Sequence, residues 1–154
     1  MTAETRRRYE SADYNSLSDE LAKESREIER QVQELAKGVA ISPSSREFIV
    51  MAAQQISLSN DAIGDPLVIH DAPNFGGNYC WLWRSVPDLN IVGGWDNRVV
   101  SAQIINDLWT LTSDPWWRGR RLYLFGVPFN DFPDLNLYGF DRVARSAFQG
   151  ALFP

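Results

Sequence analysis

The spacing of hydrophobic positions changes character along this chain. From Ser16 onward, Leu21, Ser25, Ile28, Val32, Leu35 and Val39 recur at steps of four and three. That spacing draws one narrow stripe along a helix, similar to a coiled-coil seam and interrupted by Ser25. Ser16 or Ser18 can cap its start, Asp19-Glu20 suit its first turn, and Gly38 is placed to end it. Residues 1–15 have no periodicity and are expected to form an extended arm. Ser44 followed by Glu47 resembles a capping box, which predicts a second short helix over Arg46–Ile56. Phe48-Ile49-Val50-Met51 could equally begin a strand. Ser57–Asp65 reads as a polar linker.

Beyond Pro66 the pattern becomes one of short apolar blocks between turn formers. The stretch Pro66–Ser101 holds an apolar run, the turn Asp71–Asn74, Phe75-Gly76-Gly77, and the β-prone block Tyr79-Cys80-Trp81-Leu82-Trp83. A Pro-Asp-Leu-Asn loop and a Gly-Gly-Trp-Asp-Asn turn follow, and the chain returns to a strand at Val99. Four short strands are expected in this span.

The same order recurs downstream. Asp71–Tyr79 is answered by Ser113–Arg121, and Tyr79–Trp83 by Arg121-Leu122-Tyr123-Leu124-Phe125. Pro87-Asp88-Leu89-Asn90 returns as Pro133-Asp134-Leu135-Asn136, and Trp95–Val99 as Gly139–Val143. Two copies of a four-strand motif imply halves that pair to bury one core.

Charge usage supports the same division. Every Lys and Glu lies at or before Glu47, while later charges are Arg and Asp only. Glu and Lys suit helices, whereas Asp suits turns. The expected organisation is an extended arm (1–15), a helical extension with linker (16–60) and an all-β domain (61–154). With 154 residues and 44% hydrophobic content, one proper core is available. No apolar run is long enough to cross a bilayer, and the first residues lack the apolar segment of a secretory signal. A net charge of -5 and the short Arg6-Arg7-Arg8 run argue against nucleic acid as partner. Cys80 stands alone and excludes an intrachain disulfide. A cytoplasmic protein, or a component of a particle assembled there, is expected.

The repeated aromatic-x-Gly hairpin, aromatic second strand and late Ser resemble the βγ-crystallin family. The first motif matches through Phe75, Gly77, Trp95 and Ser101; the second matches through Trp117, Gly119, Phe140 and Ser146. The resemblance covers about residues 66–150 and implies an all-β, two-motif Greek-key sandwich preceded by an α-helical arm. It departs at His70 and Thr112, where the family often has an aromatic. Many microbial members bind calcium through two Asn/Asp residues, two variable positions, a Ser or Thr, and a final Ser. On that pattern the resemblance implies Asp96, Asn97, Ser101 and Asp141 as a degraded metal set. Val100 stands where a hydroxyl ligand is expected, and the second motif aligns only with an extra residue. No other cofactor is implied, and Asp and Asn as turn formers are the stronger reading.

Catalytic chemistry finds little support. His70 is the only histidine and sits at a strand end, which suits packing. Cys80 alternates with aromatic neighbours and reads as a small buried hydrophobe. No acid–base pair stands out, and no enzyme is expected. Trp116 and Trp117 are adjacent; on a strand they face opposite ways, which with Trp117 inward places Trp116 outward near Arg118 and Arg120. Phe129, Phe132, Phe148 and Phe153 add apolar area. The expected role is a non-catalytic structural or assembly protein, such as a coat, virion or particle component, in an oligomer or larger assembly. Its contacts would come from Leu21, Ile28, Val32, Leu35 and Val39 on the helix and from Trp116, Arg118 and Arg120. The regular seam favours self-association or a protein partner over packing on the β domain. The alternative is a binding module, either a degraded calcium binder or a protease inhibitor.

Overall fold

A computed structural model describes residues 14–60, 65–126 and 131–151. The expected arm up to residue 13, the Leu21 side chain, Phe129 and Phe153 lie outside the described residues. Helix α1 runs over Tyr14–Ala36, starting before the serines proposed as caps. Gly38 takes a left-handed φ of 78° just past its end, as the stop signal required. Helix α2 runs over Arg46–Asn60, so the Phe48–Met51 run is helical. Its cap is Ser45 rather than Ser44: the Ser45 hydroxyl accepts from the Phe48 N–H at 3.3 Å. No helix among the described residues is long and apolar enough to cross a membrane.

Seven strands follow among the described residues: β1 Leu67–His70, β2 Tyr79–Leu82, β3 Ser101–Ile104, β4 Asp107–Asp114, β5 Arg118–Gly126, β6 Asp131–Phe132 and β7 Ser146–Gln149. They form two antiparallel sheets, ordered β2-β1-β3-β6 and β5-β4-β7. Where four strands were expected before Ser101, Leu89–Val92 is a 3-10 turn and Val86 makes only an isolated bridge. That bridge reaches Ala147 of the second half, while β6 of the second half pairs with β3 of the first. Each half therefore lends a segment to the other's sheet, and the exchange is made within one chain.

Backbone bonds repeat this relation as reciprocal pairs. Asn97 N–H donates to Ala144 C=O and Arg142 N–H to Val99 C=O, both at 2.9 Å. Leu89 N–H donates to Arg145 C=O and Leu135 N–H to Val100 C=O, both at 2.8 Å. A two-fold relation between the halves follows. It matches Trp95 with Phe140, Asp96 with Asp141 and Ser101 with Ser146, so the extra residue expected in the second motif is not there. The earlier pairing of Trp95 with Gly139 was one position out of register.

Leu67, Ile69, Cys80, Leu82, Trp109, Leu111 and Leu124 fill the space between the sheets. On the first sheet the intervening residues are apolar too. Val68, Trp81 and Trp83 point away from that core into a second one, where Phe48, Ile49, Ala52, Ala53 and Ile56 of α2 meet Ile28 and Val32 of α1. Leu35 and Val39 pack half-buried against the same cluster. Three layers result: helices, first sheet, second sheet. An ion pair between Arg46 of α2 and Asp131 of β6 fastens the helical layer at the sheet edge.

This overturns the expected use of the seam. Ile28 and Val32 are buried on the chain's own body and are not available to another molecule. The cause is the apolar outer face of the first sheet. Covering one tryptophan removes about 200 Å² from water, worth roughly 5 kcal/mol before entropic costs. An intrachain seat also avoids the entropic cost of association. Replacing Ile28→Ala should cost about 2–4 kcal/mol in urea unfolding. It should red-shift tryptophan emission as Trp81 and Trp83 loosen, and leave the mass in solution unchanged. A fall in mass instead would show that the stripe joins molecules.

Candidate functional site

The aromatic-x-Gly hairpins are built alike in both halves. Asn74 and Phe75 in one, and Trp116 and Trp117 in the other, take left-handed φ between 56° and 61°. Bulky residues resist that conformation, so surrounding bonds must hold it. The Ser101 hydroxyl accepts from Phe75 N–H at 3.1 Å and donates to Ala72 C=O at 2.7 Å. The Ser146 hydroxyl accepts from Trp117 N–H at 3.1 Å and donates to Asp114 C=O at 2.7 Å. The glycine is forced: a Cβ on Gly77 would run into the Asp71 carboxylate, and one on Gly119 into the Ser113 hydroxyl. Those two side chains receive the N–H groups of Asn78 and Arg120, at 2.7 and 2.8 Å.

Beneath each hairpin the two halves differ. In the first, His70 is fully buried, its Nε2 lies 3.0 Å from the Gln103 amide oxygen, and the Phe75 ring stands edge-on at 5.7 Å. In the second, Thr112 bonds the Ser146 hydroxyl, while Trp117 packs on Phe148 and donates its Nε1–H to Ala147 C=O at 2.8 Å. Burial holds His70 below its ordinary pKa, against opposing effects of Gln103 and Asp71. Burial also pushes the Cys80 thiol up to about 12, with Glu29 adding to it, so the sulfur stays protonated at neutral pH. Burial alone would raise Asp71, but bonds from Asn78 and Arg98 outweigh it and its pKa is lowered.

The loops implied as a metal set lie side by side through their reciprocal backbone bonds. Asp96 and Asp141 are half-buried and Asn97 is exposed. The hydroxyl positions hold Val100, packed in the interior, and Arg145. Arg142 replaces the second Asn/Asp of its motif, with φ of 56°. Ser101 already makes two bonds to its hairpin. Calcium needs six to eight oxygens, and side chains without oxygen at both hydroxyl positions do not fit it. A guanidinium instead braces the first loop: Arg98 donates to Gly93 C=O at 3.4 Å and to the Asp71 carboxylate at 2.9 Å, and lies over the Trp95 ring at 4.4 Å.

The predicted contact residues on the second half are only partly confirmed as exposed. Arg118 is exposed. Arg120 is exposed but donates to Gly139 C=O at 3.0 Å and lies 5.3 Å over the Phe140 ring. Trp116 does not point outward. It is half-buried against the Trp117–Phe148 cluster, because the pair sits in a tight turn where strand alternation does not apply. Phe132 and Phe148 are buried. Among the described residues of the second half, the exposed large apolar side chains are Phe125 at 56%, Leu137 at 74% and Tyr138 at 50%. Alternation along β5 could have found Phe125, since Leu122 and Leu124 turn to the core and Arg121, Tyr123 and Phe125 turn away.

Solved structures agree with this geometry. A βγ-crystallin from Ciona intestinalis matches with a TM-score of 0.50 and 25% identity, over 55% of this chain and 98% of its own. A structure from work on the evolution of the eye-lens βγ-crystallin domain fold matches with a TM-score of 0.51 and 17% identity, over 57% and 87%. The β domain is a βγ-crystallin-like double Greek key. An archaeal βγ-crystallin at 16% identity and TM-score 0.49 covers the same 55%. No family model matches the chain, and no curated protein matches it in sequence. The βγ-crystallin-like fold is in general non-enzymatic, and the helices precede it as a separate layer.

Two measurements follow from the hairpin braces. Ser146→Ala leaves the Trp117 N–H without its acceptor and should cost about 1–3 kcal/mol in thermal or urea unfolding. His70 titrates lower when folded than its ordinary 6.5, so below that pH the unfolded chain binds a proton that the folded chain refuses. Stability is therefore full above that value and falls as the pH drops through it. His70→Phe should flatten this stretch of a stability–pH curve; an unchanged slope would assign the effect to other groups.

Proposed function

We propose that this protein is a non-catalytic structural or assembly component that makes its protein–protein contacts through the second half of its βγ-crystallin-like domain. One observation carries the reading. At three pairs of positions related by the internal two-fold, the first-half residue is covered and the second-half residue is exposed. Trp83 is buried beneath the helices, whereas Phe125 is 56% exposed. Ile91 and Val92 sit half-buried in a turn that α1 lies against, whereas Leu137 and Tyr138 are exposed. Apolar groups kept at exposed positions suit an interface better than solvent.

The helical layer fills a different role from the one its stripe suggested. It closes the first sheet, and the contacts are left to the exposed positions of the second half. The calcium-module reading is weaker, because Val100 and Arg145 provide no ligand oxygen where one is needed.

The test is a triple variant, Phe125→Ser with Leu137→Ser and Tyr138→Ser, studied by light scattering and by co-purification with whatever assembly the wild type enters. It should keep its melting temperature and lose association. Association unchanged in the folded variant would overturn the reading. A wild-type melting temperature raised by several degrees in millimolar calcium would favour the calcium module instead.

A further inference from the structure

We propose that the open edge of β5 accepts an extended, acidic segment of a partner protein as an added strand. The inference rests on the assembly reading and names how that contact is made.

Among the described residues β5 ends its sheet, which is ordered β5-β4-β7. The bonds of β4 show which main-chain groups of β5 point outward. Leu108 C=O accepts from Gly150 N–H at 2.6 Å and Thr112 C=O from Arg145 N–H at 2.8 Å, so both residues turn their main-chain groups to the β7 side. Opposite them on β5 stand Phe125 and Arg121. Facing residues of an antiparallel pair exchange either both bonds or neither. The N–H and C=O of Arg121 and of Phe125 therefore point away from β4, and among the described residues no other main-chain group bonds them. The corresponding edge strand of the first sheet is guarded: α1 packs against β2, and Cys80, Trp81 and Leu82 are buried. No helix does this for β5, and an extended segment is the one shape that satisfies such a row of donors and acceptors.

Charge selects the occupant. Strand β5 carries Arg118, Arg120 and Arg121 and no Asp or Glu. Arg120 is committed to Gly139 C=O and the Phe140 ring, but the Nε–H of Arg121 is buried and has no acceptor. A second copy of β5 would set further arginines against these, which like-charge repulsion opposes. A foreign strand with a carboxylate opposite Arg121 would supply the missing acceptor. A β-branched or aromatic residue opposite Phe125, which is 56% exposed, would cover its ring. The added strand takes its affinity from the main chain and its selectivity from those two positions.

The test uses the full-length protein and a fluorescein-labelled peptide alternating glutamate with valine. A version with lysine for glutamate and a version N-methylated along its backbone are run in parallel, and the protein alone is followed by light scattering. Binding of the glutamate peptide should weaken with salt and fall about tenfold in Arg121→Gln. Phe125→Pro removes an N–H that points away from β4, a place where a strand tolerates proline, and should weaken binding by a similar factor. Leu58→Ser, at an exposed residue on the helical side, should change nothing. In hydrogen exchange the bound peptide should slow the amides of Arg121 and Phe125, and leave those of Leu122 and Leu124, already turned to β4, as they were. Absence of binding, equal binding of the lysine or N-methylated peptide, or protection confined to other segments would each overturn the proposal. Dimerisation of the protein alone with protection of the same two amides would also overturn it, by assigning the edge to a second copy. If the glutamate peptide fails while the triple variant above still loses association, the assembly reading stands and only this contact is wrong.

Discussion

Val86 of the first half bridges Ala147 of the second, and Phe132 of the second pairs with Ala102 of the first, so neither sheet is completed by its own motif. This exchange is the constraint on which the rest depends. It brings Leu89 and Leu135 into a shared interior and lays the Asp96–Ser101 and Asp141–Ser146 loops against each other through paired backbone bonds. Each serine at the start of its last strand can then reach back to a hairpin whose aromatic sits at a φ it would not choose alone. The strain at Phe75 and Trp117 is held by the serine bonds, and the serines are positioned by the exchanged sheets.

From that symmetric frame the halves have diverged in what they bury. The first half has a polar pocket of His70 and Gln103 under its hairpin and tryptophans on its outer face; the second has Trp117 and Phe148 under its hairpin and Arg121, Tyr123 and Phe125 on its outer face. The helices follow that difference. They cover the sheet whose exposure would cost most, that of Trp81 and Trp83. An arginine also stands where the family pattern expects a hydroxyl ligand, and another, Arg98, ties the first loop to Asp71. A loop closed by a side-chain cation needs no ion to order it.

Much of this was legible in the residues. The repeat, the aromatic-x-Gly hairpins, the two late serines and the change from Glu and Lys to Arg and Asp were enough for a double Greek key with helices before it. The burial of the helical stripe was legible too, though its sign went unread. Cys80–Trp83 is apolar at every position, which marks a strand covered on both faces, whereas Arg121–Phe125 alternates cationic or aromatic with leucine. Trp116 was misplaced because strand alternation was applied to a left-handed turn.

By itself the sequence determined the local structure, since turn chemistry, hairpin glycines and period act over a few residues and need no distant partner. It also determined that a surplus of aromatic surface existed. Only the tertiary structure decided which of that surface stays exposed. That outcome depends on residues far apart in the chain, Ile28 packing in one cluster with Trp81 while Phe125 stays exposed, and on whether an intrachain helix reaches a face before another molecule does.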